Sequence, residues 1–224
     1  MVKPLWKDYS VTWQFLGLLC GSVPQDPDLV RKWLESRRPK AKPPQARSLE
    51  DVQREVLETV AEPEVDPEIS VVGFQRFNGV LVLRAGTIRS HLKEAARALS
   101  VHVVGKVEGE RSFGHRFQVC VYPPPEDYWL PIWKAGSEAG IGTVTEPDGW
   151  IEKPFSAMTA RGPISAFKRF AYVERPWLRF RLRVLGGAVS LADLQSVMDY
   201  GGTHGYGGER GVGEGRYRAT ITES

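Results

Sequence analysis

The chain has 224 residues and a mass of 25.1 kDa, enough for one sizeable domain and too little for several. Hydrophobic residues at 42% and charged residues at 25% exclude wholesale disorder, and no apolar run approaches the roughly 20 residues that a bilayer requires. A net charge of +3 is uninformative alone, and two cysteines, Cys20 and Cys120, in strand-like apolar runs point to buried thiols rather than a disulfide framework.

In chain order, Val11 to Leu19 is rich in aromatic and branched residues and predicts a buried strand. Asp26 followed by Pro27 opens a helix that stops before Pro39. Residues 39–45 form a Pro- and Lys-rich linker, and Ser48 with Asp51 starts a second helix over about 48–60. Residues 20–68 therefore read as a helical insertion into a sheet. Asn78-Gly79 between two apolar runs, 69–77 and 80–83, predicts a tight hairpin. Thr87 is expected to cap a helix to about Leu99, with strands following at 101–104 and 117–122. Residues 123–176, full of aromatics, Gly and Pro, read as an irregular, β-rich insertion. Trp177 to Leu185 alternates cleanly, a helix capped by Ser190 runs to about Tyr200, and residues 216–222 make the last strand. The expected architecture is a single α+β domain over 1–224, with a ferredoxin-like (RRM-like) antiparallel sheet and helices on one face. An all-β barrel with added helices competes.

Charge is distributed in blocks. Residues 31–47 hold seven basic residues against Glu35, residues 48–68 eight acidic ones against Arg54, and residues 161–183 seven basic ones against Glu174. Such blocks suggest a surface that meets a polyanion, set against the plain alternative of solvated faces. Alternation over 177–185 places Arg179, Arg181 and Arg183 opposite the core face, and the last strand does the same for Arg216 and Arg218. Neither strand carries an acid on that face, and guanidinium forks suit phosphate oxygens. The helix from Thr87 lines up Arg89, Lys93 and Arg97, with Arg84 just before its start, where backbone N–H groups and the helix dipole favour an anion. Between helix and last strand, Gly205, Gly207, Gly213 and Gly215 enclose Arg210. Glycines of this density let a backbone approach phosphate closely. The pattern is neither a Walker loop nor a dinucleotide fingerprint, because no Gly-Lys-Ser/Thr follows and the glycines lead into a strand.

Histidines 91, 102, 115 and 204 show no metal-ligand spacing, so no metal or other cofactor is expected. If the chain cuts a strand at all, His91 and His204 are the candidate bases. Trp6, Trp13, Trp129, Trp133, Trp150 and Trp177 are of a type that stacks bases but also fills cores, and none is assigned a role.

The Gly-x-Gly, Arg210-containing, Gly-x-Gly loop before a C-terminal strand resembles that of the RAMP superfamily, the ferredoxin-like guide-RNA-binding proteins of CRISPR effector complexes. Residues 80–96 are similar to the strand–loop–helix of their backbone subunits, and relatives encoded by phages share the layout. The resemblance covers about 80–105 and 177–222. It implies an RNA-binding module, with Arg89 and Lys93 on the helix that touches guide backbone. The processing members use a histidine early in the chain, and none precedes His91; the acidic residue of the cleaving members and the aromatic RNP signatures of ordinary RRM domains have no match. The expectation is a non-catalytic protein that binds single-stranded nucleic acid, RNA favoured over DNA, and assembles with copies of itself or with other effector subunits. No signal peptide or membrane segment is recognised, so the expected location is cytoplasmic. A metal-independent endoribonuclease that processes guide RNA and a phage structural or interaction protein are the alternatives.

Overall fold

Along Trp6–Phe15 (β1), Tyr9, Val11, Trp13 and Phe15 are buried while Ser10 and Gln14 face solvent, the period-two signature of a strand covered on one side. The computed structural model describes residues 5–25, 69–102, 113–136, 140–159, 162–186 and 188–224. Its further strands are Leu18–Cys20 (β2), Val23–Pro24 (β3), Ile69–Gly73 (β4), Gln75–Phe77 (β5), Val80–Arg84 (β6), Val121–Tyr122 (β7), Trp129–Gly136 (β8), Gly140–Thr143 (β9), Gly149–Thr159 (β10), Gly162–Glu174 (β11), Trp177–Leu185 (β12) and Tyr217–Glu223 (β13). The helices described are Ala85–His102 (α1), Phe113–Cys120 (α2) and Leu191–His204 (α3).

The fold is mixed α+β and dominated by two sheets. The larger runs β13-β1-β12-β8-β6-β5, with β7 added on β12 and β9 on β8; the smaller runs β10-β11-β4-β3, with β2 on β11. All pairings are antiparallel except β4 with β11. Three segments step from one sheet to the other: β1 to β2 at Leu16-Gly17, β4 to β5 at Phe74, and β11 to β12 at Arg175-Pro176. Arg175 turns this corner with φ of 45°, and its N–H donates to the Gly17 carbonyl at 2.9 Å. The buried strand expected over 11–19 is thus two strands in two sheets.

The core lies between the larger sheet and the helices. Trp13 stacks on Tyr217, ring centroids 4.0 Å apart, and donates through Nε1 to Met198 Sδ at 3.3 Å. Ile88 and Leu92 of α1, Phe117 of α2, and Leu194 and Val197 of α3 pack there, and the cluster extends to Leu19, Ala171 and Val173 of the smaller sheet. Helix α3 starts at a capping box in which Ser190 and Asp193 satisfy each other's backbone N–H groups. The Asn78-Gly79 hairpin forms as expected, both residues having positive φ, 50° and 77°.

Several expectations need correction. Helix α1 begins at Ala85 and Thr87 does not cap it: its hydroxyl donates to the Arg84 carbonyl at 2.7 Å. The helix continues through His102, where a strand was expected. Residues 117–120 are helical, because Phe113, Phe117 and Cys120 at i, i+4 and i+7 put one apolar stripe on the core. The described part of 123–176 contains long strands of both sheets, β8, β10 and β11, hidden from sequence reading by Pro131, Pro154 and Pro163 inside them. Residues 20–25 belong to the smaller sheet, whereas the helices expected over 26–38 and 48–60, and both charge blocks there, lie outside the described residues. Among the described residues, no helix is long and apolar enough to cross a membrane.

Candidate nucleic-acid interface

Strand register decides which arginines share a surface. Thr12 of β1 lies between Arg179 of β12 and Thr220 of β13, and Gln14 between Trp177 and Arg218. Arg179, Arg181, Arg183 and Arg218 therefore stand on the face of the larger sheet turned away from Trp13 and the helices. Arg216, just before β13, is exposed beside them.

Their electrostatic states differ. Arg181 makes a fork to Asp127, 2.9 Å from each carboxylate oxygen, and also reaches Glu126. Arg183 pairs with Asp8, its direct cross-strand neighbour, at 2.9 Å, and the Arg183 guanidinium holds the Asp8 carboxyl below its usual range. The face free of acid within β12 and β13 is thus partly compensated from β1 and from the loop before β8. Arg179, Arg216 and Arg218 are exposed and have no hydrogen-bond or ion-pair partner among the described residues.

The Gly-rich loop is a packed structure. Gly205, Gly207, Gly213 and Gly215 all have φ between 72° and 97°, a region in which side chains with a Cβ are strained. A Cβ on Gly215 would stand 1.9 Å from the Tyr206 carbonyl oxygen. The N–H groups of Tyr206, Gly208, Val212, Gly213, Glu214 and Gly215 all reach protein carbonyls, including those of Leu18 and Cys20. Glu209 binds Lys153 of β10 at 2.8 Å, tying the loop to the smaller sheet. Arg210 forks onto Glu94 of α1 at 2.9 and 3.1 Å, and that hydrogen bonding lowers the Glu94 carboxyl below its usual range. Most of the loop's donors, and its arginine, are therefore spent inside the protein.

Helix α1 distributes its cations likewise. Arg89 donates to the carbonyls of Gln118 and Val121 and lies 4.1 Å over the Tyr122 ring; Arg97 donates to the Gln118 side chain at 2.9 Å. Both fasten α2. Arg84 lies over the Trp129 ring at 5.2 Å and the Tyr128 ring at 5.9 Å. Lys93 has no partner among the described residues but sits on the helix, away from the arginine face.

Of the histidines, His91 is buried, its Nε2 lying 3.0 Å from the Tyr217 hydroxyl, and burial lowers its pKa to about 4. It cannot meet a solvent-borne strand as a base. His204 is exposed, stacks on Tyr200 and lies 3.7 Å from Glu94. No group of three or more His, Cys, Asp or Glu among the described residues is placed to hold a metal ion.

No known family model matches the chain, and no curated protein matches it either. Among solved structures it is similar to a chain of the type III-B Cmr-beta complex bound to cognate target RNA, at 10% identity and a TM-score of 0.44. That match covers 97% of this chain and 60% of the other, so this chain spans about three fifths of that neighbour's length. It is also similar to a chain of a type IV-B CRISPR complex, at 9% identity and a TM-score of 0.44, covering 96% of this chain and 90% of that one.

Sequence reasoning missed how far the arginine face extends. Trp133 of β8 lies opposite Trp177 of β12, so alternation turns Pro131 and Trp129 to the same side as Arg179 and Arg181. Trp129 is paired across β6 to Arg84, and β5 follows with Phe77 opposite Val80. The signal was present as the alternate tryptophans 129 and 133, but the proline between them disguised the strand.

Proposed function

We propose that this chain binds single-stranded nucleic acid, RNA in preference to DNA, on the outer face of its larger sheet, and that it does not cut the strand. The observation that carries this reading is the cluster of Arg179, Arg216 and Arg218, exposed and without partners among the described residues on or beside one sheet face. A solubilising surface mixes signs and leaves cations matched; here three of the unmatched cations among the described residues stand together on or beside one sheet face. Arg181 and Arg183, already bound to carboxylates, position the strands and contribute less to phosphate binding.

The finer assignment is a RAMP-like domain of ferredoxin-like type. The Gly-rich loop between α3 and β13, the order β13-β1-β12 and the helices α1 and α3 behind it support this reading. The preference for RNA and assembly with other effector subunits rest on the resemblance of that loop and of residues 80–96. The loop's role is to fix the start of β13, and with it Arg216 and Arg218, while its own backbone donors stay engaged. An interaction protein is the second reading, favoured by β13, which is the terminal strand of its sheet and pairs on one side only with β1.

The test is the nucleic-acid content of the protein purified at low salt. A bound strand digested by ribonuclease but not by deoxyribonuclease is the expected result. Protein free of nucleic acid that also fails to retard added single-stranded RNA contradicts the proposal.

A further inference from the structure

At the far end of the arginine face, Phe77 and Trp129 stack with ring centroids 5.7 Å apart and planes 20° from parallel. Phe77 is 43% exposed although apolar, and Tyr128, edge-on to Trp129 at 4.8 Å, is 40% exposed. Phe77 stands opposite Val80, and Trp129 opposite Arg84; Val82 lies between these positions on the same face and is buried, 1% exposed. The position between the two rings is thus filled, and the Arg84 guanidinium lies 5.2 Å over the Trp129 ring. The type I′ turn at Asn78-Gly79 fixes the backbone that carries Phe77. An exposed aromatic on a rigid hairpin, held flat against a second ring, keeps one face open to solvent.

We infer that the open face of Phe77, backed by Trp129, is a stacking platform for a nucleobase of the strand bound along the arginine face. This rests on the function proposed above and adds to it a subsite for bases, where the arginines supply sites for phosphate. Three features favour a base over other occupants. A flat apolar ring accepts the π-face of any base, in keeping with a sequence-tolerant binder. The rings continue the row of Arg179 and Arg181 on one sheet face, so a strand held there by its phosphates passes the platform; the Arg181 partners Glu126 and Asp127 directly precede Tyr128 and Trp129. The adjoining recess, lined by Gln75, Val82, Arg84, Thr87 and Tyr206, has a volume of about 20 Å³, room for a water molecule and none for a base. A base therefore has to lie on the platform's surface.

The experiment compares the full chain's affinity for a short oligouridylate and for a strand of the same length with the same sugar–phosphate backbone but no bases. Phe77→Leu keeps Val82 covered while removing the π-face, and Phe77→Tyr keeps the π-face. The Leu variant is expected to lose on the order of tenfold in affinity for the oligouridylate, to bind the abasic strand as before and to keep the salt dependence of the parent; the Tyr variant is expected to bind as the parent does. Unchanged oligouridylate affinity in Phe77→Leu, an equal loss on both strands, or a change of oligomeric state in place of a change in affinity overturns the platform while leaving the proposed function standing. Failure of the parent chain to bind either strand overturns both.

Discussion

Gly215 and Gly211 stand four residues apart in one loop and differ in what they require. Gly215 has φ of 72° and no room for a Cβ, whereas Gly211 has open space and no positive φ. Gly215→Ala is expected to destabilise the fold by at least about 2 kcal/mol, from the left-handed backbone and the collision with the Tyr206 carbonyl. Gly211→Ala is expected to be near neutral. Thermal melts of the two variants check this, and equal melting temperatures contradict it. His91 gives a second residue-scale prediction. Its folded pKa of about 4 lies below the ordinary histidine value of 6.5, so between these values the unfolded chain binds more protons than the folded one. The stabilisation is fully present above pH 6.5, is lost as the pH falls toward 4, and amounts to about 3 kcal/mol over the window. His91→Gln should flatten that part of the stability–pH curve in chemical denaturation; a curve as steep as the parent's contradicts the assignment.

At the scale of elements, cations and helices trade roles in a way that spacing alone does not reveal. Arg89, Lys93 and Arg97 lie on one stripe of α1 in sequence, yet two of the three hold α2. Because Arg89 gives charged hydrogen bonds to two carbonyls, Arg89→Ala is expected to cost about 1.5–3 kcal/mol in stability and to leave the salt dependence of strand binding as it was. A reduced salt slope with unchanged stability would put Arg89 on the ligand instead. Alternation in β12, the Asn-Gly turn and the Ser190 cap are local signals, and each element formed where its signal stood. Helix α2 was missed because its apolar stripe spans only two turns and Gly114 lies within it, and β8, β10 and β11 because prolines interrupt them. Two sheets cannot be told from one without knowing that Leu16-Gly17, Phe74 and Arg175-Pro176 are corners, which depends on pairings distant in sequence. Likewise the carboxylates that bind Arg181, Arg183 and Arg210 come from other elements, so local patterning placed the arginines correctly but could not tell free from paired.

For the whole molecule, the arrangement is a layered one. Helices and the Gly-rich loop bury one side of the larger sheet around Trp13 and Tyr217, and the other side keeps Arg179, Arg216 and Arg218 exposed, with rings at one end. The loop acts at a distance by fixing the register of β13, so distortion there is transmitted to Arg218 through the strand. On the proposed function, the affinity of this surface for a strand is electrostatic and should fall with ionic strength. The most direct measurement is the affinity of the full chain for single-stranded RNA between about 50 and 200 mM salt. Three free arginines predict a slope of log affinity against log salt near −2, since single strands give about −0.7 per phosphate neutralised, and Arg179→Ala and Arg218→Ala should each make it shallower by roughly one phosphate's share. Absence of binding at the lowest salt, or a slope that neither substitution changes, contradicts the account.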